Sequence, residues 1–174
     1  MSLLVLSYPN ISEKDFNWIQ AVRANHDELY YKVVAPHFTI VFPNFNQDRV
    51  EFVEHVKLQA RCFKKIDFVL RCAVIVKDAF NDYTHLFLVP DEGYSEIVKL
   101  HDKLYNGPLA SDLRLDIPFI LHIGIGNAID PLVCKKLADE LNRQAFEING
   151  RIETLDVTWY EENKVETIER IELG

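Results

Sequence analysis

Two short apolar segments, half the chain apart, constrain this sequence more than any other feature. Residues 35–43 read Ala-Pro-His-Phe-Thr-Ile-Val-Phe-Pro, and residues 119–126 read Phe-Ile-Leu-His-Ile-Gly-Ile-Gly. Side chains on a strand alternate between faces. In the first segment Phe38, Ile40 and Phe42 share one face, and His37, Thr39 and Val41 share the other. In the second, Leu121, Ile123 and Ile125 share one face, and Ile120, His122 and Gly124 the other. Each segment thus sets a large apolar row against a histidine that is followed two residues later by a smaller residue. A helical pattern follows each. This internal echo predicts two lobes related by a pseudo-twofold axis; a solenoid would repeat at a shorter period.

The remaining elements fit that scheme. Residues 3–7 form a first strand. Ser12 caps a helix in which Phe16, Ile19 and Val22 recur at helical spacing. A second helix runs from about residue 48 to 62, with Val53, Val56 and Ala60 inward. Residues 66–76 and 84–90 are β-branched strands that pair. A third helix over residues 92–105 stops at Gly107-Pro108. Asp130-Pro131 opens a fourth, whose apolar stripe is Val133, Cys134, Leu137, Ala138 and Leu141. Residues 146–173 are strands, with Asn149-Gly150 as a hairpin or bulge signal and a polar turn over 161–164. No Gly/Ser linker interrupts the order, so residues 1–174 are expected to form a single domain.

Charge narrows the partners. The chain carries a formal net charge of −8, whereas binding along a nucleic-acid duplex relies on basic surface to displace counterions. A duplex is therefore not expected, and a small phosphorylated ligand or an RNA terminus is. No apolar run approaches the ~18 residues of a membrane span, and the first ten residues lack the basic region of a secretory signal. Cys62, Cys72 and Cys134 show no CxxC spacing and read as small buried hydrophobes in a reducing compartment. A cytoplasmic monomer without metal or other cofactor is expected.

Two imidazoles lining one groove would have a definite chemistry. Free imidazole titrates near pH 6.5, so at neutral pH one ring can accept a proton while another donates. Opening a 2′,3′-cyclic phosphate needs that division of labour, and a threonine hydroxyl can orient the phosphate. Other candidates carry less. His85 reads as structural, His101 as buried on the apolar face of its helix and hydrogen-bonded, and His26 and His55 as helix-surface or helix-end residues. Lys32, Arg71 and Arg151 are candidate phosphate contacts, each more simply a surface charge. Tyr8, Tyr83, Trp159 and Tyr160 are candidate stacking surfaces for a base.

Pro36-His37-Phe38-Thr39-Ile40 resembles the H-x-[ST]-x motif of the 2H phosphoesterase superfamily, which includes 2′-5′ RNA ligase-like proteins and cyclic phosphodiesterases. His122-Ile123-Gly124-Ile125 resembles its second copy, and Leu100–Tyr105 with Gly107-Pro108-Leu109 is similar to a segment of bacterial members. The resemblance implies a bilobal α+β fold, with antiparallel sheets lining a central cleft and helices packed outside. It implies His37 and His122 as the acid–base pair, Thr39 as a phosphate contact, and Gly124 at the position of the second phosphate contact. The implied function is a metal-independent phosphodiesterase acting on a 2′,3′-cyclic phosphate, a 2′-5′ linkage or a related small nucleotide. Gly124 departs from the motif, since it offers no hydroxyl. A catalytically impaired nucleotide- or phosphate-binding module is the alternative reading.

Overall fold

A computed structural model describes residues 2–174. The strands are β1 (Ser2–Ser7), β2 (Asn10–Ile11), β3 (Phe38–Asn44), β4 (Ile66–Lys77), β5 (Thr84–Glu92), β6 (Ile123–Ala128), β7 (Ile148–Ile152), β8 (Thr154–Glu161) and β9 (Lys164–Glu172). The helices are α1 (Glu13–His26), α2 (Arg49–Ala60), α3 (Tyr94–Leu104) and α4 (Pro131–Arg143), with a 3-10 helix at Gly107–Asp112. The strands form two antiparallel sheets, in the orders β3-β1-β8-β9 and β2-β7-β4-β5-β6. This is the α+β architecture that the sequence predicts.

Helix starts follow local chemistry. The first backbone N–H groups of a helix have no intrahelical partner, and a side-chain oxygen just before the helix supplies one. The Ser12 hydroxyl accepts from the Asp15 N–H at 3.1 Å. Asp48 accepts from the N–H groups of Val50 and Glu51, and Asp130 from that of Leu132.

The pseudo-twofold relation is visible in where the histidine segments end up. β3 is the edge of the four-stranded sheet and β6 the edge of the five-stranded one. α2 follows β3 and packs on β8 and β9; α4 follows β6 and packs on β4, β5 and β6. A helix from elsewhere in the chain then covers each exposed edge: α3 lies along β3 and α1 along β6. At β3, His101 Nδ1 bonds the Ile40 carbonyl at 2.7 Å, and the Phe42 N–H donates to the Tyr105 hydroxyl at 3.0 Å. These side chains satisfy edge groups that a further strand would otherwise take.

One core runs through both sheets. Phe38 of β3 meets Phe68 of β4 edge to face, with ring centroids 5.0 Å apart, so the lobes share packed side chains.

Several local expectations need correction. Val41 does not lie with His37 and Thr39. Leu6 pairs with Thr39 while Val5 pairs with Val41, so Ile40 is an extra residue, a β-bulge. The bulge breaks the alternation, and Ile40 and Val41 are both fully buried. Asn149-Gly150 makes no hairpin; it lies inside β7 opposite Val69 and Phe68. Glycine is required there by space, because a Cβ at Gly150 would lie 2.4 Å from Phe68 Cζ. Cys62 and Cys72 are exposed, and of the three cysteines Cys134 is buried. Val133 is half exposed, so the buried stripe of α4 is Cys134, Ala138 and Leu141. His55 is buried, its Nε2 bonding the Leu104 carbonyl at 2.8 Å, where it ties α2 to the end of α3.

Candidate functional site

Neither His37 nor His122 belongs to a strand: each immediately precedes one, at the Phe38 and Ile123 starts of β3 and β6. The two adopt the same local conformation. His37 Nδ1 bonds the Ala35 carbonyl at 2.8 Å, and His122 Nδ1 bonds the Ile120 carbonyl at 2.5 Å, each reaching back two residues. A carbonyl only accepts, so in both neutral rings Nδ1 carries the proton and Nε2 keeps its lone pair. The repeated sequence pattern thus yields a repeated side-chain hydrogen bond, and a charge on His37 lowers the proton affinity of His122.

Both rings are only partly open to solvent, and enclosure governs their proton affinity. Burial pushes His37 down to about 4, opposed by its bond to Ala35, with the Arg23 charge lowering it further and Asp27 raising it. Burial likewise pushes His122 down to about 4, opposed by its bond to Ile120, with His37 and His85 both lowering it. At neutral pH both imidazoles of the free protein are uncharged. An unfolded histidine titrates near 6.5, so as pH falls from 6.5 to about 4 the unfolded chain takes up protons that these two rings refuse. Stability is expected to decline across that window. Urea midpoints measured from pH 7 to pH 4 would check this, and His37→Gln should flatten the slope; an equal slope in that variant would contradict the assignment.

The surroundings of the two rings differ. The His122 ring lies flat on Phe87, with centroids 3.5 Å apart and planes 14° apart. Phe87 stacks in turn on His85, and His85 on Tyr30. His85 is buried with its Nε2 2.6 Å from the Asp78 carboxylate, which orients it behind the site. The His37 ring instead meets Tyr8 at a steep angle, with centroids 6.1 Å apart. Thr39, two residues beyond His37, leaves its hydroxyl without a partner among the described residues. Gly124 sits directly opposite Phe87 in the β5–β6 pairing. A Cβ there would meet only Phe87 Cε1, at 4.0 Å.

Below the site lies a buried ion pair that sequence reading leaves without prominence. Arg23 is 2% exposed and Asp27 6%. Arg23 Nε donates to Asp27 at 2.9 Å, Nη1 to Gln20, and Nη2 to the carbonyls of Tyr30 and Val34. Asp27 also accepts from Asn127 of β6 at 2.6 Å. The cluster pins the connection over residues 27–37, which ends at His37, to the strand that carries His122. An arginine four residues before an aspartate on one helix is the only trace of it in the sequence, and such pairs are usually superficial.

The other candidates fall away from the histidines or are already engaged. Arg71 is held by Glu147, Asp91 and Glu92, and Arg151 by Asp67, all at the surface. Lys32 is exposed on the 27–37 connection. The Tyr83 hydroxyl donates to Glu28, and that of Tyr160 to Asn163. Trp159 packs against the core. His26 ends α1 at the surface, and His101 is buried and stacked on Phe119. Two surface cavities, of about 360 Å³ beside Lys65 and Gly93 and about 290 Å³ beside Phe45 and Arg114, contain none of the site residues. Among the described residues no three His, Cys, Asp or Glu side chains converge to hold a metal ion. No helix among them is long and apolar enough to cross a membrane.

Two antiparallel sheets, each presenting a histidine at the start of its edge strand, define the architecture of the two-histidine phosphoesterases. The chain belongs to the 2′-5′ RNA ligase superfamily, whose sequence model matches residues 11–164. Solved structures share the fold at low identity. TT0787 of Thermus thermophilus is 12% identical with a TM-score of 0.64, over 99% of this chain and 98% of that one. Usb1 of Kluyveromyces marxianus is 13% identical with a TM-score of 0.59, over 99% and 98%. LigT of E. coli is 14% identical with a TM-score of 0.54, over 99% and 96%. Usb1 has been solved with uridine monophosphate, and LigT with 3′-AMP, with NADP+ and with phosphate. No curated protein matches the chain.

Proposed function

We propose that the protein is a metal-independent phosphodiesterase that opens a 2′,3′-cyclic phosphate or cleaves a related small nucleotide or RNA end. In this reading His37 and His122 are the acid–base pair, Thr39 binds phosphate, and the Gly124 backbone borders the same anion. The observation that carries it is the duplicated geometry: two imidazoles, each with Nδ1 tied to the carbonyl two residues back and each with Nε2 left free. The ligands of Usb1 and LigT support a small nucleotide over a duplex, and the net charge of −8 agrees. Residues 1–174 act as one unit, as a cytoplasmic monomer.

The chemistry follows from the tautomers. One neutral ring accepts a proton at Nε2 from water as the water oxygen bonds to phosphorus. The other ring, protonated on Nε2, gives that proton to the ribose oxygen as its bond to phosphorus breaks. The free protein holds no imidazolium at these positions at pH 7, because burial lowers both rings to about 4. An anionic phosphate raises the proton affinity of a neighbouring imidazole, so binding of substrate itself charges one ring. The test is direct: purified protein in EDTA is offered a nucleoside 2′,3′-cyclic phosphate, and formation of the ring-opened monophosphate is followed by chromatography. Absence of product with every base would end the hydrolase reading.

Gly124 favours a second reading, a catalytically impaired module that binds a nucleotide or phosphate, and nucleotide binding in calorimetry with no product formed supports it. The open space around Gly124 admits a serine side chain. A hydrogen bond to a charged group is worth about 1.5–3 kcal/mol, so Gly124→Ser is expected to raise kcat by roughly ten- to a hundredfold with an unchanged melting temperature. Turnover that appears only in Gly124→Ser marks the wild-type site as catalytically impaired.

A further inference from the structure

We propose that Tyr8 is the stacking surface for the substrate's nucleobase, bordered by the Asp156–Arg170 pair, so that the base lies in the His37 half of the cleft. This rests on the nucleotide reading above.

Strand register supplies the frame. Leu6 is paired with Thr39 on one side and with Asp156 on the other, and Asp156 is paired with Arg170. Residues directly opposite one another share a face, so Thr39, Leu6, Asp156 and Arg170 form a row across the four-stranded sheet. Tyr8 follows Leu6 by two residues and His37 precedes Thr39 by two, so both lie just beyond the same end of the paired strands β1 and β3. The Tyr8 ring, partly exposed, stands 6.1 Å from the His37 ring at 63°. Its hydroxyl feels both charges of the neighbouring pair: burial raises its proton affinity first, Asp156 raises it further, and Arg170 opposes them.

The Asp156–Arg170 pair is built to stay in place. Asp156 is fully buried and accepts from Arg170 Nε at 2.9 Å and Nη2 at 2.7 Å, with the hydroxyls of Thr167 and Thr154 at 3.3 and 3.4 Å. The Arg170 side chain is 60% exposed, and its Nη1 has no partner among the described residues. Because Asp156 already neutralises this guanidinium, it makes a poor clamp for a second phosphate. A planar, oriented donor group beside an aromatic ring suits the edge of a base instead.

Around His122 the rings nearest the imidazole are already engaged. There His122, Phe87, His85 and Tyr30 stack on one another, so Phe87 and His85 each use their faces within the column. Tyr8 has no such stacked partner among the described residues.

Calorimetric titration with adenosine 3′-monophosphate and with ribose 5-phosphate, which has sugar and phosphate but no base, tests the proposal. The wild-type protein is expected to prefer the nucleotide by about tenfold or more, the usual scale of base–aromatic stacking. That preference should collapse in Tyr8→Leu and persist in Tyr8→Phe. In the unmodified protein, the nucleotide should also move the Tyr8 ring proton resonances by ring current while ribose 5-phosphate leaves them in place. A preference that survives Tyr8→Leu, or unmoved Tyr8 resonances, overturns the base site while leaving the phosphate reading intact. Failure of both ligands and of inorganic phosphate to bind removes both.

Discussion

Replacing either His37 or His122 by alanine is expected to reduce kcat/KM for a nucleoside 2′,3′-cyclic phosphate by about 10²–10⁴-fold, the range over which a positioned acid or base contributes. Both rings precede their strands and are partly exposed, so far-UV circular dichroism of the variants should match the parent. In the proposed mechanism both rings act on the same phosphorus, so the double variant should be little worse than either single one. Additive losses, or a single variant within a few-fold of the parent, would exclude a shared acid–base pair. The pH profiles carry a second signature. The free protein titrates near 4 at both histidines, whereas the bound anion raises one of them. The kcat optimum is therefore expected at higher pH than the kcat/KM optimum. Coincident optima would argue against a proton recruited on binding.

The second large effect is on stability. Arg23→Ala removes every partner that Arg23 supplies and leaves the Asp27 carboxylate, 6% exposed, with the Asn127 amide and the Tyr30 N–H. Breaking a buried pair from one side costs about 3–5 kcal/mol, because an uncompensated charge stays inside. The carbonyls of Tyr30 and Val34 lose their donor as well. Equilibrium urea unfolding should show a loss of that order, and a loss below about 1 kcal/mol would mean that water reaches the pair. Since the cluster joins the connection ahead of His37 to β6, any folded Arg23 variant should also show weakened phosphate binding.

Some features are plain in the sequence and others are hidden for identifiable reasons. Helix caps at Ser12, Asp48 and Asp130 are local chemistry, decided within three residues. The apolar rows beside the histidines are largely legible, since Phe38, Ile40, Leu121, Ile123 and Ile125 are all fully or almost fully buried, whereas Phe42, expected in the first row, lies past the bulge and is only partly buried. The bulge at Ile40 is not legible. It is a property of the β1–β3 register, and the residue that takes up its carbonyl, His101, lies 61 positions away. His55 escapes sequence reading for a similar reason: its acceptor is on another helix. Asn149-Gly150 carries a turn signal that the packing of Phe68 and Ile11 overrides.

For the site, the pattern of residues alone determined which side chains to consider: a duplicated histidine with a small residue two positions on, at the start of two apolar strands. Periodicity is enough for that, because alternation assigns a face without knowledge of the partner. Only the tertiary structure decided that burial lowers the proton affinity of both rings, that His122 feels the charge of His37, and that Phe87 backs one ring while Tyr8 meets the other at a steep angle. Those outcomes depend on contacts between segments far apart in the chain, and desolvation and stacking arise only once such contacts form.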